Sequence, residues 1–173
     1  MQERIRNIVL QLVAESVGTR GEGAYLVDVK VMGKASSRKI EILMDADCGI
    51  RIHQCVWFSR RIREIIEADE ELLDLAGDNF DLMVSSPGLG EPVMLPRQYI
   101  RHIGKLLKIR YTDSEGEQKE LSGHLQDVSL HEEGKSWIVI LTESGKKRKP
   151  TSAAEGMLLY LDQVICAVPE AEL

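Results

Sequence analysis

The sequence predicts two modules. The first is an α+β unit of order α-β-β-α-β, a three-stranded sheet with helices on one face. The second is an all-β small barrel. Three observations predict this arrangement. The first half alternates between helical and two-residue hydrophobic periods. The second half carries several short alternating runs separated by turn residues. Between them, Ser85-Ser86-Pro87-Gly88-Leu89-Gly90-Glu91-Pro92 interrupts both patterns. The modules are placed at residues 1–91 and 92–173.

Ile5, Ile8, Val9, Leu12, Val13 and Val17 recur at helical spacing, and Gly18 follows as the stop. Tyr25, Val27, Val29 and Val31 alternate with Leu26, Asp28, Lys30 and Met32, the period of a strand. Ile40, Ile42 and Met44 repeat it after the turn-rich residues Gly33 to Ser37, which predicts an antiparallel hairpin. Asp45-Ala46-Asp47-Cys48-Gly49 reads as a solvated turn, since it lacks the later positions of a calcium loop. The next helix runs from about His53 to Ala68. Its apolar side is set by Cys55 or Val56, Ser59, Ile62, Ile65 and Ile66. Arg60, Arg61 and Arg63 lie on or beside the other side. They suit a solvated face paired with Glu64 and Glu67, or a contact for phosphate or an acidic partner, and the spacing favours the first. Arg60 and Arg61 are the candidate partner contacts. An acidic stretch, Asp69 to Asn79, forms a helical turn or loop before the strand Phe80 to Val84.

The connector comes next: Ser85, Ser86, Pro87 and Gly88. Pro87 has no N–H and a fixed φ, so strand pairing ends there. Gly88 and Gly90 admit positive φ. The stretch serves either as a plain tight turn or as a stiff joint between modules.

Pro96 to Gly104 begins with Pro and ends with Gly, as a short helix does. Strands are expected over Lys105 to Thr112, Leu121 to Leu130 (one long bent strand or two short ones), Ser136 to Glu143, Met157 to Leu161 and Ile165 to Val168. Gly123 marks a bulge or bend in the second. Arg97 and Arg101, four apart, are read on one helix face. Lys108 and Arg110 share the outer face of a strand that begins at Lys105. The run Lys146-Lys147-Arg148-Lys149 is either a solubilising loop or a set of about four phosphate contacts. Arg97, Arg101, Lys105, Lys108, Arg110, Lys146, Lys147, Arg148 and Lys149 are therefore the candidate RNA-binding residues.

Charge and composition exclude several classes. The chain is 43% hydrophobic and 29% charged, with no apolar run long enough for a membrane span and no signal-peptide pattern, so a cytoplasmic protein is expected. Three cysteines without a Cys-x-x-Cys give no disulfide framework. Cys48, His53 and Cys55 lack a fourth zinc ligand, so no metal is expected. No Ser-His-Asp order, Gly-x-Ser-x-Gly elbow, phosphate-cradling loop or HExxH helix is present, and neither enzyme nor cofactor is expected. Residues 1–95 carry 11 Lys and Arg against 16 Asp and Glu; residues 96–173 carry 11 against 12. The first half is acidic, and the second is nearly neutral with its positive charge bunched.

Phe80-Asp81-Leu82-Met83-Val84-Ser85-Ser86-Pro87-Gly88-Leu89 strongly resembles the signature of the bacterial ribosome maturation factor RimP family. Leu26 to Val29, Ile42 to Asp45, Cys55 with Ser59, Arg60 and Ile62, Tyr99 to Gly104, and Ser122 to Leu125 follow the family's order, so the resemblance spans nearly the whole chain. It implies an Sm-like or SH3-like barrel for the second module. It implies a monomer that assists assembly of the small ribosomal subunit without catalysis. The implied partners are the subunit precursor, small-subunit rRNA, and the small-subunit ribosomal protein numbered twelve, near the decoding region. Two departures stand out. Gly90-Glu91 replaces the family's Asp-Arg, which reverses a charge, and the segment from Lys146 to Glu155 is longer than usual. The alternative is a free-standing Sm-like RNA binder. The acidic first half is expected to attract a basic ribosomal protein, and the basic clusters of the second to face rRNA.

Overall fold

A computed structural model describes residues 1–34, 37–88, 90–142 and 156–171. The chain divides into two compact units, Met1–Pro87 and Gly88–Leu173, each with its own core.

In the first unit the elements run α1 (Gln2–Ala14), β1 (Ala24–Lys34), β2 (Ser37–Ala46), α2 (Ile52–Ala68), α3 (Glu70–Ala76) and β3 (Asp81–Ser85). The sheet order is β1-β2-β3. β1 and β2 form the expected antiparallel hairpin, and β3 runs parallel to β2. A parallel return needs a crossover, which α2 and α3 supply. Ile5, Val9 and Leu12 of α1 pack with Phe58, Ile62 and Ile66 of α2 against Val29, Ile40, Ile42 and Met44 of the sheet.

Four sequence expectations need correction. α1 stops at Ala14, and the Ser16 hydroxyl donates to the Val13 carbonyl at 2.7 Å, so Val17 lies beyond the helix and is exposed. β1 does not alternate evenly: its register slips between Leu26 and Asp28, which leaves Val27 as the extra residue of a bulge. Leu26 and Val29 therefore both reach the core, where strict alternation would separate them. Asp45 belongs to β2 and is fully buried; its carboxylate accepts from the Ala46 N–H at 2.9 Å. The acidic stretch after α2 holds a true helix, α3, because Asp69 caps it by accepting from the Leu72 N–H at 3.0 Å.

In the second unit a 3-10 helix, Pro96–His102, leads to β4 (Leu106–Thr112), β5 (Gln118–Ser129), β6 (Trp137–Leu141), β7 (Gly156–Tyr160), a 3-10 turn (Leu161–Gln163) and β8 (Val164–Pro169). They form one antiparallel five-stranded sheet of order β7-β6-β5-β4-β8. Among the described residues β7 and β8 are not hydrogen-bonded to each other, so the pairing is that of an open sheet. Leu107, Ile109, Leu125, Ile138 and Ile140 are fully buried at its centre.

β5 is a single long strand, and its bulge lies between Leu125 and Asp127 rather than at Gly123. Gly123 has a different role. A Cβ there would lie 2.5 Å from the Leu141 carbonyl oxygen and 2.6 Å from Ile140 Cγ2, so only glycine lets β5 and β6 approach this closely.

Candidate interaction surface

α2 carries two chemically distinct faces. At about 100° per residue, Gln54, Phe58, Ile62 and Ile66 form one stripe, and all four are buried. This corrects the sequence-derived stripe, which included Val56 and omitted Gln54 and Phe58. Gln54 is polar, yet it anchors the helix start. Its Oε1 accepts from the Arg51 N–H at 2.8 Å, and its Nε2 donates to the Glu22 carbonyl at 2.8 Å. Two backbone groups are thereby satisfied in one stroke.

The opposite face carries Ile52, His53, Val56, Trp57, Arg60, Arg61 and Glu64. With Arg20, Ile50 and Arg51 these residues line a groove of about 850 Å³. Ile52 is 85% exposed and Val56 43%, so the core does not claim them. Trp57 stands edge-on to the buried Phe58, with ring centroids 4.8 Å apart. Gly21 lies directly against the Trp57 indole, a contact any side chain would obstruct.

The electrostatics of this groove oppose those of its unit. Arg20, Arg51, Arg60 and Arg61 meet one carboxylate, Glu64. Glu64 is bound to Arg61 at 2.8 Å, a pair exposed on both sides. Such pairs contribute about 0–1 kcal/mol and give way readily to a stronger ligand. A second groove, of about 480 Å³, shares Ile50, Ile52 and Val56 and continues along Leu82 to Ser86 of β3 and the connector.

The candidates in the second unit are less concentrated. Lys108 and Arg110 share the exposed outer face of β4, as expected. Lys108 bonds Glu120 at 3.0 Å, and that bond raises its pKa above the usual lysine range. Arg110 sits opposite Glu120 in the ladder. Lys105 is exposed just before the strand. Arg97 and Arg101 do not share a face. Their helix is 3-10, in which residues eclipse at i+3, so residues four apart diverge by about 120°. Arg101 Nε donates to His102 Nε2 at 3.1 Å. Lys146, Lys147, Arg148 and Lys149 lie outside the described residues.

At the connector, Ser85 closes β3 and Pro87 is buried at the end of its unit. Of the two glycines, Gly90 takes a positive φ of 85° and Gly88 does not. Among the described residues no group of three or more His, Cys, Asp and Glu is arranged to hold a metal, and no helix is long and apolar enough to cross a membrane.

Residues 12–90 match the RimP N-terminal domain. A protein of Pelodictyon phaeoclathratiforme named ribosome maturation factor RimP is 65% identical over 173 residues, covering all of both chains. A protein of the same name from Chlorobium luteolum is 51% identical, covering all of this chain and 98% of its own. Another, from Chlorobium phaeovibrioides, is 47% identical over the full length of both. This chain belongs to the ribosome maturation factor RimP family.

Within the RimP family match fall Arg20, Arg51, Arg60 and Arg61, the whole basic rim of the groove. Of these four, the sequence points only to Arg60 and Arg61. The missed signal was the spacing of Ile52, Val56 and Trp57, which puts apolar side chains on the face opposite the core.

Proposed function

We propose that this chain is a cytoplasmic, non-catalytic and monomeric factor that assists maturation of the small ribosomal subunit. It binds the subunit precursor transiently, through small-subunit rRNA and a basic small-subunit ribosomal protein. The observation that carries this reading is the 65% identity, end to end, with a protein named ribosome maturation factor RimP. The second unit is read as an Sm-like or SH3-like barrel. The bulge in β5 and the glycine-permitted approach of β5 to β6 support it, since both bend a sheet toward closure. Ser85, Ser86, Pro87 and Gly88 act as the joint between domains 1–91 and 92–173.

The partners divide by charge. The acidic stretch Asp69, Glu70, Glu71, Asp74 and Asp78 suits a basic ribosomal protein. The phosphates of rRNA suit the arginine-rimmed groove of α2, together with Arg97, Arg101, Lys105, Lys108, Arg110 and the run 146–149. Sucrose-gradient co-sedimentation of the purified chain with immature subunits, mature subunits and free rRNA tests the proposal. Preference for immature subunits is expected. Equal binding to any RNA would favour a free-standing RNA binder, and no association with any of them would remove the proposal.

A further inference from the structure

We propose that the face of α2 opposite the core is a seat for single-stranded RNA. Arg20, Arg51, Arg60 and Arg61 take its phosphates, and Ile52, Val56 and Trp57 take the faces of unstacked bases. The inference rests on the reading above, that the chain works on ribosomal RNA, and it names the form of RNA and the residues.

Three observations converge on an anionic ligand with flat apolar parts. First, the groove gathers four arginines against one carboxylate within a unit whose overall balance is acidic. A local reversal of sign selects anions. Second, every Lys or Arg lining it is an arginine. The guanidinium fork matches phosphate oxygens in pairs and stacks on planar rings, which an ammonium does not. Third, Ile52 and Val56 are exposed on a helix whose core stripe is already complete.

Duplex RNA would leave those apolar side chains wet. It shows phosphates and 2′-hydroxyls outward and hides the base faces in its stack. A single strand offers both a phosphate line and apolar planes. The second groove adds a further element. Among the described residues β3 pairs in the sheet only with β2, so its other edge presents backbone N–H and C=O groups beside Ile52 and Val56. Base edges are suitable partners for such groups.

The test is fluorescence anisotropy on the full chain over a salt series. One probe is a short unstructured oligoribonucleotide, and the other is a hairpin with its nucleotides paired. The wild-type chain is expected to bind the single strand more tightly. Arg60→Gln with Arg61→Gln should lower the slope of log affinity against log salt by about 1.4, at roughly 0.7 per phosphate. Ile52→Ser should leave the slope alone and weaken binding roughly fivefold, by removing apolar contact with one base face. Because Ile52 is 85% exposed, folding is not at stake in that variant.

Equal or tighter hairpin binding, an unchanged slope in the double arginine variant, or full affinity in Ile52→Ser would each overturn the seat. Displacement of the oligonucleotide by an acidic amphipathic peptide at comparable concentration would assign the groove to a protein partner instead. Absent oligonucleotide binding with precursor association intact overturns the seat and leaves the maturation reading standing. Oligonucleotide binding without precursor association does the reverse.

Discussion

Gly21→Ala tests whether the groove wall is as tightly held as its geometry implies. The new Cβ would lie 2.6 Å from Trp57 Cε3, 2.8 Å from Cζ3 and 3.1 Å from Phe58 Cε2. Carbon atoms rest about 3.5–4.0 Å apart, so the indole has to retreat by about 1 Å. Phe58 is fully buried, edge-on to the indole and itself close to the new Cβ, so the ring can move only by giving up its packing on Phe58. Overpacking of this kind costs about 1–3 kcal/mol. Alanine also lowers the entropy of the unfolded chain, which returns about 0.4–1 kcal/mol. At the midpoints of these two figures the clash wins by about 1.3 kcal/mol. For a unit the size of Met1–Pro87, each kcal/mol moves the midpoint by about 4–8 °C, so a fall of roughly 5–10 °C is expected. Calorimetry measures it. Trp57 emission, recorded in a Trp137→Phe background because the chain has 2 Trp, should shift as the ring moves. A raised or unchanged midpoint with unchanged emission would refute the reasoning, since the ring would then yield at no cost.

Gly123→Ala should destabilise the second unit by about 1–3 kcal/mol, since its Cβ would meet the Leu141 backbone rather than a movable side-chain tip. A denaturation midpoint equal to wild type would count against the close β5–β6 approach. Tyr99 is buried, and that burial, with a smaller contribution from Cys166, pushes its hydroxyl up to about 12. Its neutral form is the folded one, so its stability contribution is present below the ordinary value of about 10 and is lost as pH rises through 12. Alkaline spectrophotometric titration should show an ionisation near 12 that disappears in Tyr99→Phe. Asp113 is held below the usual carboxylate range chiefly by its bond to Lys119, aided by the Glu117 and Glu115 N–H groups. Its contribution is present above about pH 4 and is lost as pH falls through the lower folded value. The difference in melting point between wild type and Asp113→Ala should therefore shrink in acid; a constant difference would contradict this sign.

Much of the fold was legible because it is periodic. Ile40, Ile42 and Met44 alternate and are all fully buried; Leu107, Ile109 and Tyr111 alternate in β4 and are all buried. The failures come where a local irregularity resets the period. Val27 is inserted as a bulge, so the faces of β1 switch midway. The α-helical period aligns Arg97 with Arg101, but their helix is 3-10. Gln54 is polar, so periodicity alone leaves it off the buried stripe; its bonds to the Arg51 N–H and to the Glu22 carbonyl, the latter 32 residues away, explain its burial.

The candidate site was legible only in part, for a related reason. Arg60 and Arg61 sit together in sequence, but Arg20 arrives from the segment before β1 and Arg51 from the turn before α2. No local spacing links them. One trace was nonetheless on the helix itself. A surface helix that only covers a sheet needs one apolar stripe. α2 has the stripe of Phe58, Ile62 and Ile66 and also Ile52, Val56 and Trp57 on the far side. Trp57 also packs against the core, but folding supplies no reason for the exposed Ile52 and Val56. Residues on that face carry an apolar surface out to solvent beside guanidinium groups, and this pairing is what a ligand with both phosphate and flat apolar faces requires.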